Sequence, residues 1–435
     1  MKLIYLDGQT PFLRLCLYVA FSLFIVSFQV HAATNTTLTL AEAIKKTLNQ
    51  NPSLNVFPVR EQGLQAERET AQLSPSYRVG AELENVAGTG QLSGTKSAEL
   101  TVSLSSVLEL GGKKQARVDV VDQKLALTQI KKQIASLDLL STVTKNYIQL
   151  LIDKQRIQLA EEEVSLAQAT ADEVNKRVRA AIAPKADYAR AVAAVEQARL
   201  NVSRVEQRMH AHKMALANLW GEMQPQFNNV AGSLFDYGSS RSFESLFERV
   251  KNNPSLAFFA AETRLKESEI RLAKTQQQAD IDWSVGIRRN ADIDESALVA
   301  GFSVPLFAEK RAESAVKSAL AARNEITFRQ QDFLLRIHTQ LYQAYTAREQ
   351  AITSAITLRQ SIIPQLTDAL TQTKTAYQRG LYSYLDFLTA RQELLNAKRD
   401  LIEASADALL LAAEIEQLTA EPLLIDQKTE GTSYE

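Results

Sequence analysis

The stretch FLTARQELLNAKRDLIEASADALLLAAEIEQL, residues 387–418, decides the architecture. Its positions Phe387, Ala390, Leu394, Ala397, Leu401, Ala404, Ala408, Leu411, Ile415 and Leu418 alternate spacings of three and four. That is the seam of a helix packed lengthwise against a partner. A second copy stands 199 residues earlier, in YARAVAAVEQARLNVSRVEQRMHAHKMALANL, residues 188–219. There the seam is Tyr188, Ala191, Val195, Ala198, Val202, Val205, Met209, His212, Leu216 and Leu219. One phase and one offset held throughout mean an internal duplication. The alanines let the helices approach closely.

Working outward, Asn51-Pro52-Ser53-Leu54 recurs as Asn253-Pro254-Ser255-Leu256. Each copy reads as helix, two short alternating segments, a long run without Gly or Pro, a break, and a return helix. The first copy covers 33–226, with a β-hairpin near 76–107 and a helical hairpin over 113–220. Residues 227–241, rich in Gly, Ser and Asn, read as a linker. The second copy covers 242–421, with a β-hairpin near 282–304 and a helical hairpin over 307–421. Residues 422–435 read as a flexible tail. No Gly or Pro occurs between Lys113 and Ala183, so a continuous helix there is on the order of 100 Å long. In the second copy the run is expected to break at Pro364 and again at Gly380. Helices of this length imply a coiled coil or a helical array.

The alternating segments carry the second half of the reading. Tyr77, Val79, Ala81 and Leu83 alternate with Arg78, Gly80, Glu82 and Glu84. Leu100, Val102 and Leu104 alternate with Glu99, Thr101 and Ser103, and Trp283, Val285 and Ile287 alternate with Asp282, Ser284 and Arg288. Period two gives each strand one apolar and one polar face. A small soluble sheet lying on the helices is one reading. A membrane barrel is the other, favoured by strand lengths near those a tilted membrane strand needs and by an N-terminus laid out as a signal peptide. In a bilayer every strand edge must be paired. Four strands cannot close a barrel, whereas three chains supply twelve, an even number that can. The fold class expected is therefore a mixed α+β membrane protein, a trimeric 12-stranded β-barrel continued by an α-helical barrel.

Lys2 and Arg14, an apolar run from Leu15 to Val30, and Val30-His31-Ala32 predict a signal peptide over 1–32, cleaved after Ala32. Cys16 follows Arg14-Leu15, the wrong context for a lipid anchor, and it is the only cysteine. The mature chain then has no disulfide and no thiolate site. The formal charge is −1, and loss of Lys2, Asp7 and Arg14 leaves about −2, no bulk attraction for nucleic acid. Beyond the leader no apolar run is long enough for a membrane helix. His210, His212 and His338 are scattered without neighbouring carboxylate ligands, so no metal site and no cofactor is expected. Gly88 to Gly94 lacks the Lys-Ser/Thr ending of a phosphate loop and reads as a hairpin tip. No nucleophile elbow, HExxH or paired cysteines occur, so the chain is read as not an enzyme. An exported hydrolase and a soluble periplasmic coiled coil are the competing classes; a heat-modifiable oligomer in the outer-membrane fraction would exclude both.

These marks together resemble the TolC family of outer-membrane efflux proteins. Asn51-Pro52 and Asn253-Pro254 match the family's marks after the first helix of each repeat. Gly380-Leu381-Tyr382-Ser383-Tyr384-Leu385-Asp386-Phe387 with Ala390 resembles its helix-hairpin tip, and Ala181 through Ala191 resembles the tip of the first repeat. Here Ala181 stands where Gly is usual, and Pro184 is inserted. Leu108-Glu109-Leu110-Gly111-Gly112-Lys113-Lys114 resembles the strand-to-helix junction of the heavy-metal (CzcC-like) branch. Gly111-Gly112 lets the chain bend, and Lys113 and Lys114 suit a membrane-facing boundary. The resemblance implies a homotrimeric outer-membrane duct reaching into the periplasm of a Gram-negative bacterium. It implies a periplasmic adaptor and an inner-membrane RND transporter as partners, and heavy-metal cations as cargo; drug efflux or type I protein secretion is the alternative. It places the periplasmic gate and adaptor-docking surface at Ala181, Pro184, Asp187, Gly380, Tyr382, Ser383 and Asp386. Asp386 has two readings: a helix cap with Ser383, or one carboxylate of a threefold ring.

Overall fold

The computed structural model describes residues 37–423. The expected signal peptide over 1–32, Cys16 and the expected tail beyond Leu423 lie outside the described residues. Each repeat begins with helices and ends in a long hairpin. In the first, β1 (Thr37–Leu38) leads to α1 (Leu40–Gln50) and α2 (Val56–Gln72). Strands β2 (Arg78–Glu84) and β3 (Glu99–Leu108) form a hairpin, and α3 (Lys113–Arg179) and α4 (Lys185–Asn218) follow. After β4 (Asn229–Val230), the second repeat gives α5 (Phe243–Arg249), α6 (Pro254–Thr275), β5 (Ile281–Asn290) and β6 (Glu295–Ser303). It ends in α7 (Ala308–Thr357), α8 (Ile363–Gln378) and α9 (Tyr384–Thr419).

The 67-residue α3 runs unbroken, about 100 Å at 1.5 Å per residue. The break expected at Pro364 does not occur as a break. A π-helical turn, Leu358–Ile362, joins α7 to α8, and Pro364 falls in the first turn of α8. A π turn leaves the i−4 carbonyl free of its usual donor, so the missing proline N–H is absorbed and the helix continues.

The seams are the cores. Val195, Ala198, Val205, Met209 and Leu216 are buried on α4, and Phe387, Leu394, Ala397, Leu401, Ala408 and Ile415 on α9. The largest cluster gathers both repeats around α3, from Val143, Leu150 and Ile152 to Leu216, Ile402 and Leu409. Asn51 and Asn253 explain the Asn-Pro repeats. Each accepts a bond on its side-chain oxygen from the backbone N–H two residues on, and each donates its amide to a carbonyl at the end of a return helix.

The linker is a packed strap. β4 pairs in parallel with β1, and Tyr147 places its hydroxyl between the carbonyls of Leu38 and Ala231, at 2.9 and 2.8 Å. Burial pushes that phenol up to about 12. Arg348, buried on α7, donates to the carbonyls of Tyr237 and Ser239, and Tyr237 bonds Ser405 on α9. Leu423, assigned by sequence to the tail, is buried against α5 and α7, so packed chain reaches at least that residue.

Strands β2-β3-β5-β6 form one antiparallel sheet in that order. The hairpins therefore come from different repeats and join through β3 and β5. The sheet is open: β2 and β6 each have one partner.

Candidate functional site

The sheet sorts its residues by face. Register pairs Val79 with Leu104, Leu104 with Val285, and Val285 with Ala300. Ala81, Val102, Ile287 and Leu298 form the next row of the same face. Leu298 and Phe302 are 82% and 83% exposed. An apolar face this open has no partner among the described residues. At its helix-side end Ser106, Trp283 and Phe302 align, and Tyr77 meets Trp283 edge-on at 6.2 Å. Large amphipathic rings in one row mark the kind of boundary where an apolar slab meets water.

The other face is polar and small. Its middle rows are Gly80, Ser103, Gly286, Val299 and then Arg78, Ser105, Ser284, Gly301. A Cβ on Gly286 would lie 2.6 Å from the Val102 carbonyl, so only glycine lets β3 and β5 approach as they do. Toward the loops Glu84 stands directly opposite Glu99. Like charges in register repel; Arg288 bridges them at 3.1 and 3.2 Å and donates to Thr101.

Below the sheet lies the junction that sequence singled out. Gly111 and Gly112 both adopt positive φ, 77° and 72°, and Gly112 opens α3. A Cβ on Gly111 would meet the Gln278 side chain at 2.6 Å. Lys113 is not free at the junction. Its ammonium pairs with Asp280 at 2.7 Å, largely covered, and Asp280 also accepts the Leu110 N–H. Arg117 grips Glu109 with two bonds. The motif thus ties the root of α3 to the segment between α6 and β5, one repeat to the other. Lys114 is exposed.

At the far end the two turns share one geometry. Ile182 N–H donates to Arg177 O and Ala181 N–H to Val178 O; Leu381 N–H donates to Ala376 O and Gly380 N–H to Tyr377 O. Both are the paired bonds that end a helix on a left-handed residue. Ala181 adopts φ 57° and Gly380 φ 77°. The capping differs. Ser383 and Asp386 form a reciprocal box: Asp386 N–H donates to Ser383 Oγ at 3.2 Å, and Ser383 N–H to Asp386 Oδ2 at 2.9 Å. The bond from the Ser383 hydroxyl, then that from its N–H, holds the Asp386 carboxyl below its ordinary range. Pro184 occupies the matching N-cap and makes no side-chain bond. Tyr382 is exposed beside the turn, with Leu381 and Leu385.

Sequence reasoning missed what joins the turns. The Arg177 guanidinium lies 4.4 Å over the Tyr377 ring and donates to the Tyr377 carbonyl. Tyr377 stacks on Phe387 at 5.6 Å in a buried cluster with Val174, Ala191 and Tyr384. Burial raises the Tyr377 and Tyr384 phenols, and the nearby Asp187 charge adds to it. Asp187 is therefore a neighbour of this cluster, not a second cap like Asp386. An Arg and a Tyr within four residues before the two turns were the available signal.

The histidines need one correction. His212 does have a carboxylate partner: its Nδ1 lies 2.5 Å from Asp153 on α3, across the seam. His338 packs edge-on against Phe243 and Phe247. Among the described residues no group of three or more His, Cys, Asp or Glu side chains could hold a metal ion. No described helix is long and apolar enough to cross a membrane.

This arrangement has relatives. A cobalt-zinc-cadmium resistance protein, CzcC, of Cupriavidus metallidurans is 25% identical over 295 residues, covering 67% of this chain and 70% of that protein. A membrane protein from Pseudomonas aeruginosa superimposes with a TM-score of 0.72 at 16% identity, over 88% of this chain and 90% of that one. The outer membrane protein VceC of Vibrio cholerae does so with a TM-score of 0.68 at 19% identity, over 88% and 96%. The family described as outer membrane efflux protein matches residues 43–222 and 248–421, the two repeats found here. With both repeats matched, the chain belongs to the outer membrane efflux protein family.

Proposed function

We propose that the chain is the outer-membrane duct of a tripartite pump that expels heavy-metal cations, passing them from an inner-membrane RND transporter and a periplasmic adaptor. One observation supports the membrane part most: a four-strand sheet whose apolar face is open and whose two edges lack partners among the described residues. Lipid covers such a face, and further copies of the chain pair such edges. Three copies give a twelve-stranded barrel with the polar, small-residue face inward. The long hairpins continue it as a helical tube. The likeness to CzcC supports metal cations as cargo.

The turns close the tube at its periplasmic end. Arg177 and Tyr377 tether the two hairpins of one chain, and Ile182, Leu381, Tyr382 and Leu385 offer an adaptor an exposed apolar landing. Asp386 is fixed at the start of α9 by its box and, by threefold symmetry, contributes a carboxylate ring that favours cations. The test is paired. The chain must fractionate with the outer membrane as a heat-modifiable oligomer, and its deletion must lower tolerance to divalent metal salts, restored by the intact gene. Unchanged metal tolerance with lost drug tolerance would give the duct a different cargo.

A further inference from the structure

The strap between the repeats crosses a weak point in one helical shaft. Its contacts on the sheet side anchor it. The Tyr147 hydroxyl of α3 donates to the Ala231 carbonyl, and Lys213 of α4 donates to the Asn228 carbonyl just before β4. Arg348 of α7 donates to the carbonyls of Tyr237 and Ser239, and the Ser240 hydroxyl donates to Glu349 at 3.1 Å. Two further contacts reach the π turn. The Arg359 guanidinium lies 5.6 Å over the Phe235 ring, and Arg359 is part of the turn Leu358–Ile362. The Tyr237 hydroxyl bonds the buried Ser405 of α9 at 2.9 Å. One short segment thus holds α7 above the π turn, the turn itself, and the return arm beside it.

The same height offers room to move. The π turn packs on α9. Arg399 and Glu403 of α9 stand about as far from the Gly380 turn as the π turn does on the other arm. These two side chains border a cavity of about 210 Å³, whose opposite walls include Arg156 and Glu163 of α3 and Arg208 of α4. The second hairpin therefore has a break in its α-helical ladder on one arm and open space beside the other. Long helices bend sharply at such π turns. The first hairpin has no matching break, because α3 stays α-helical from Lys113 to Arg179.

We propose that Phe235 and Tyr237 form a catch across a hinge at the π turn. While they hold Arg359 and Ser405, the second hairpin stands straight. When they let go, the part of that hairpin beyond the π turn swings toward the cavity and carries its tip with it. A hinge is a few residues that absorb a change of backbone angle far from the place they control. Both holds are single contacts of modest strength, a cation over a ring and one bond between hydroxyls. A pull on the tip is enough to release them. The strap stays anchored to α3, α4 and α7, so the catch can close again.

This rests on the duct proposed above, and the measurements separate the two. Phe235→Leu removes the ring face, Tyr237→Phe removes the hydroxyl, and the double variant removes both holds. In planar bilayers the double variant is expected to show a several-fold higher open probability than the parent, with each single variant between them. Its oligomer is expected to keep the heat resistance of the parent on gels. Phe235→Tyr keeps a ring face for Arg359 and is expected to behave as the parent does. Ser240→Ala cuts a strap bond above the π turn and is expected to leave the open probability unchanged. A parent that forms no channels overturns the duct and the catch together. Conducting channels with one open probability in parent and double variant overturn the catch alone. A rise that Phe235→Tyr or Ser240→Ala shares, or a double variant whose oligomer loses its heat resistance, makes the strap a brace and also overturns the catch.

Discussion

The two helical hairpins of this chain descend from one unit and differ in three places. The shaft of the first is an unbroken α3, whereas the second passes through the π turn at Leu358–Ile362 before Pro364. The first turn carries Ala181 and an N-cap proline; the second carries Gly380 and the Ser383–Asp386 box. The first root bends at Gly112, the second at an exposed Phe307 with φ 61°. What they share is the seam and the hydrogen bonds of the turn. The common residues are those that packing and backbone geometry require of either copy, and the divergent ones lie at the ends and in one shaft. The comparison teaches where each copy was free to change.

The seam is shared by both hairpins but is more closed in the second. Leu401 is buried at 9% exposure, and its counterpart Val202 is half-buried. Leu401→Asp places an unpaired charge in a closed seam and is expected to cost about 3–5 kcal/mol. Val202→Asp, with water in reach, is expected to cost less than about half of that. Melting temperatures and outer-membrane abundance of the two variants check it. Equal losses would mean that the two seams are equally closed in the assembled protein.

The next contrast is the tether between hairpins. Arg177 stacks on Tyr377 and bonds its carbonyl, and a hydrogen bond from a charged donor is worth about 1.5–3 kcal/mol. Arg177→Met keeps an unbranched apolar stem and removes both interactions. The resting channel in a planar bilayer is expected to show a several-fold higher open probability, with a modest fall in melting temperature. A silent Arg177→Met channel would limit the pair to packing.

A smaller effect separates the two turns themselves. Gly380 and Ala181 hold the same left-handed backbone. Gly380→Ala is expected to cost about 1 kcal/mol, because an alanine there crowds its own carbonyl. Ala181→Gly reverses both terms, relieving the strain while giving the unfolded chain about 0.4–1 kcal/mol more freedom, so a net gain of similar size is expected. Denaturant midpoints of the two variants check that the two turns are equivalent.

Much of this was legible in the residues. Period and offset exposed the duplication, the hairpins and the position of both turns, because heptad seams and turn glycines are local signals. The alternation of Val79, Ala81 and Leu83 exposed the strand faces for the same reason. Four things were not local. The pairing of β3 with β5 joins residues from different repeats, so no periodicity announces it. The Lys113–Asp280 pair forms only once α6 delivers Asp280 beside Gly112. Arg177 and Tyr377 meet through the tertiary fold alone, and the Asp153–His212 pair crosses a seam whose other rungs are apolar. Pro364 misled for a different reason: proline forbids one hydrogen bond, and a π turn had already given that bond up.

The last contrast is a single carboxylate. Asp386 and Asp187 sit at matched positions, yet only Asp386 closes a box, because Pro184 offers no hydroxyl where Ser383 does. The bonds from Ser383 favour the ionised form and lower the Asp386 carboxyl below its ordinary value. Its contribution to stability is therefore complete above the ordinary carboxyl range and is lost as pH falls through the lower folded value. Near neutral pH the charge is fully present, for capping and for a ring alike. Asp386→Asn separates these roles. The amide oxygen still accepts the Ser383 N–H, so the melting temperature at neutral pH is expected to move little, and its acid dependence to flatten. In the proposed trimer the same substitution removes three like charges from one opening and so acts on permeation instead. The ratio of cation to anion permeability, from reversal potentials in a salt gradient, is expected to fall in Asp386→Asn and to stay at the parent value in Asp187→Asn. A parent-like ratio in Asp386→Asn, with the acid dependence flattened, would leave Asp386 as the cap of α9 and nothing more.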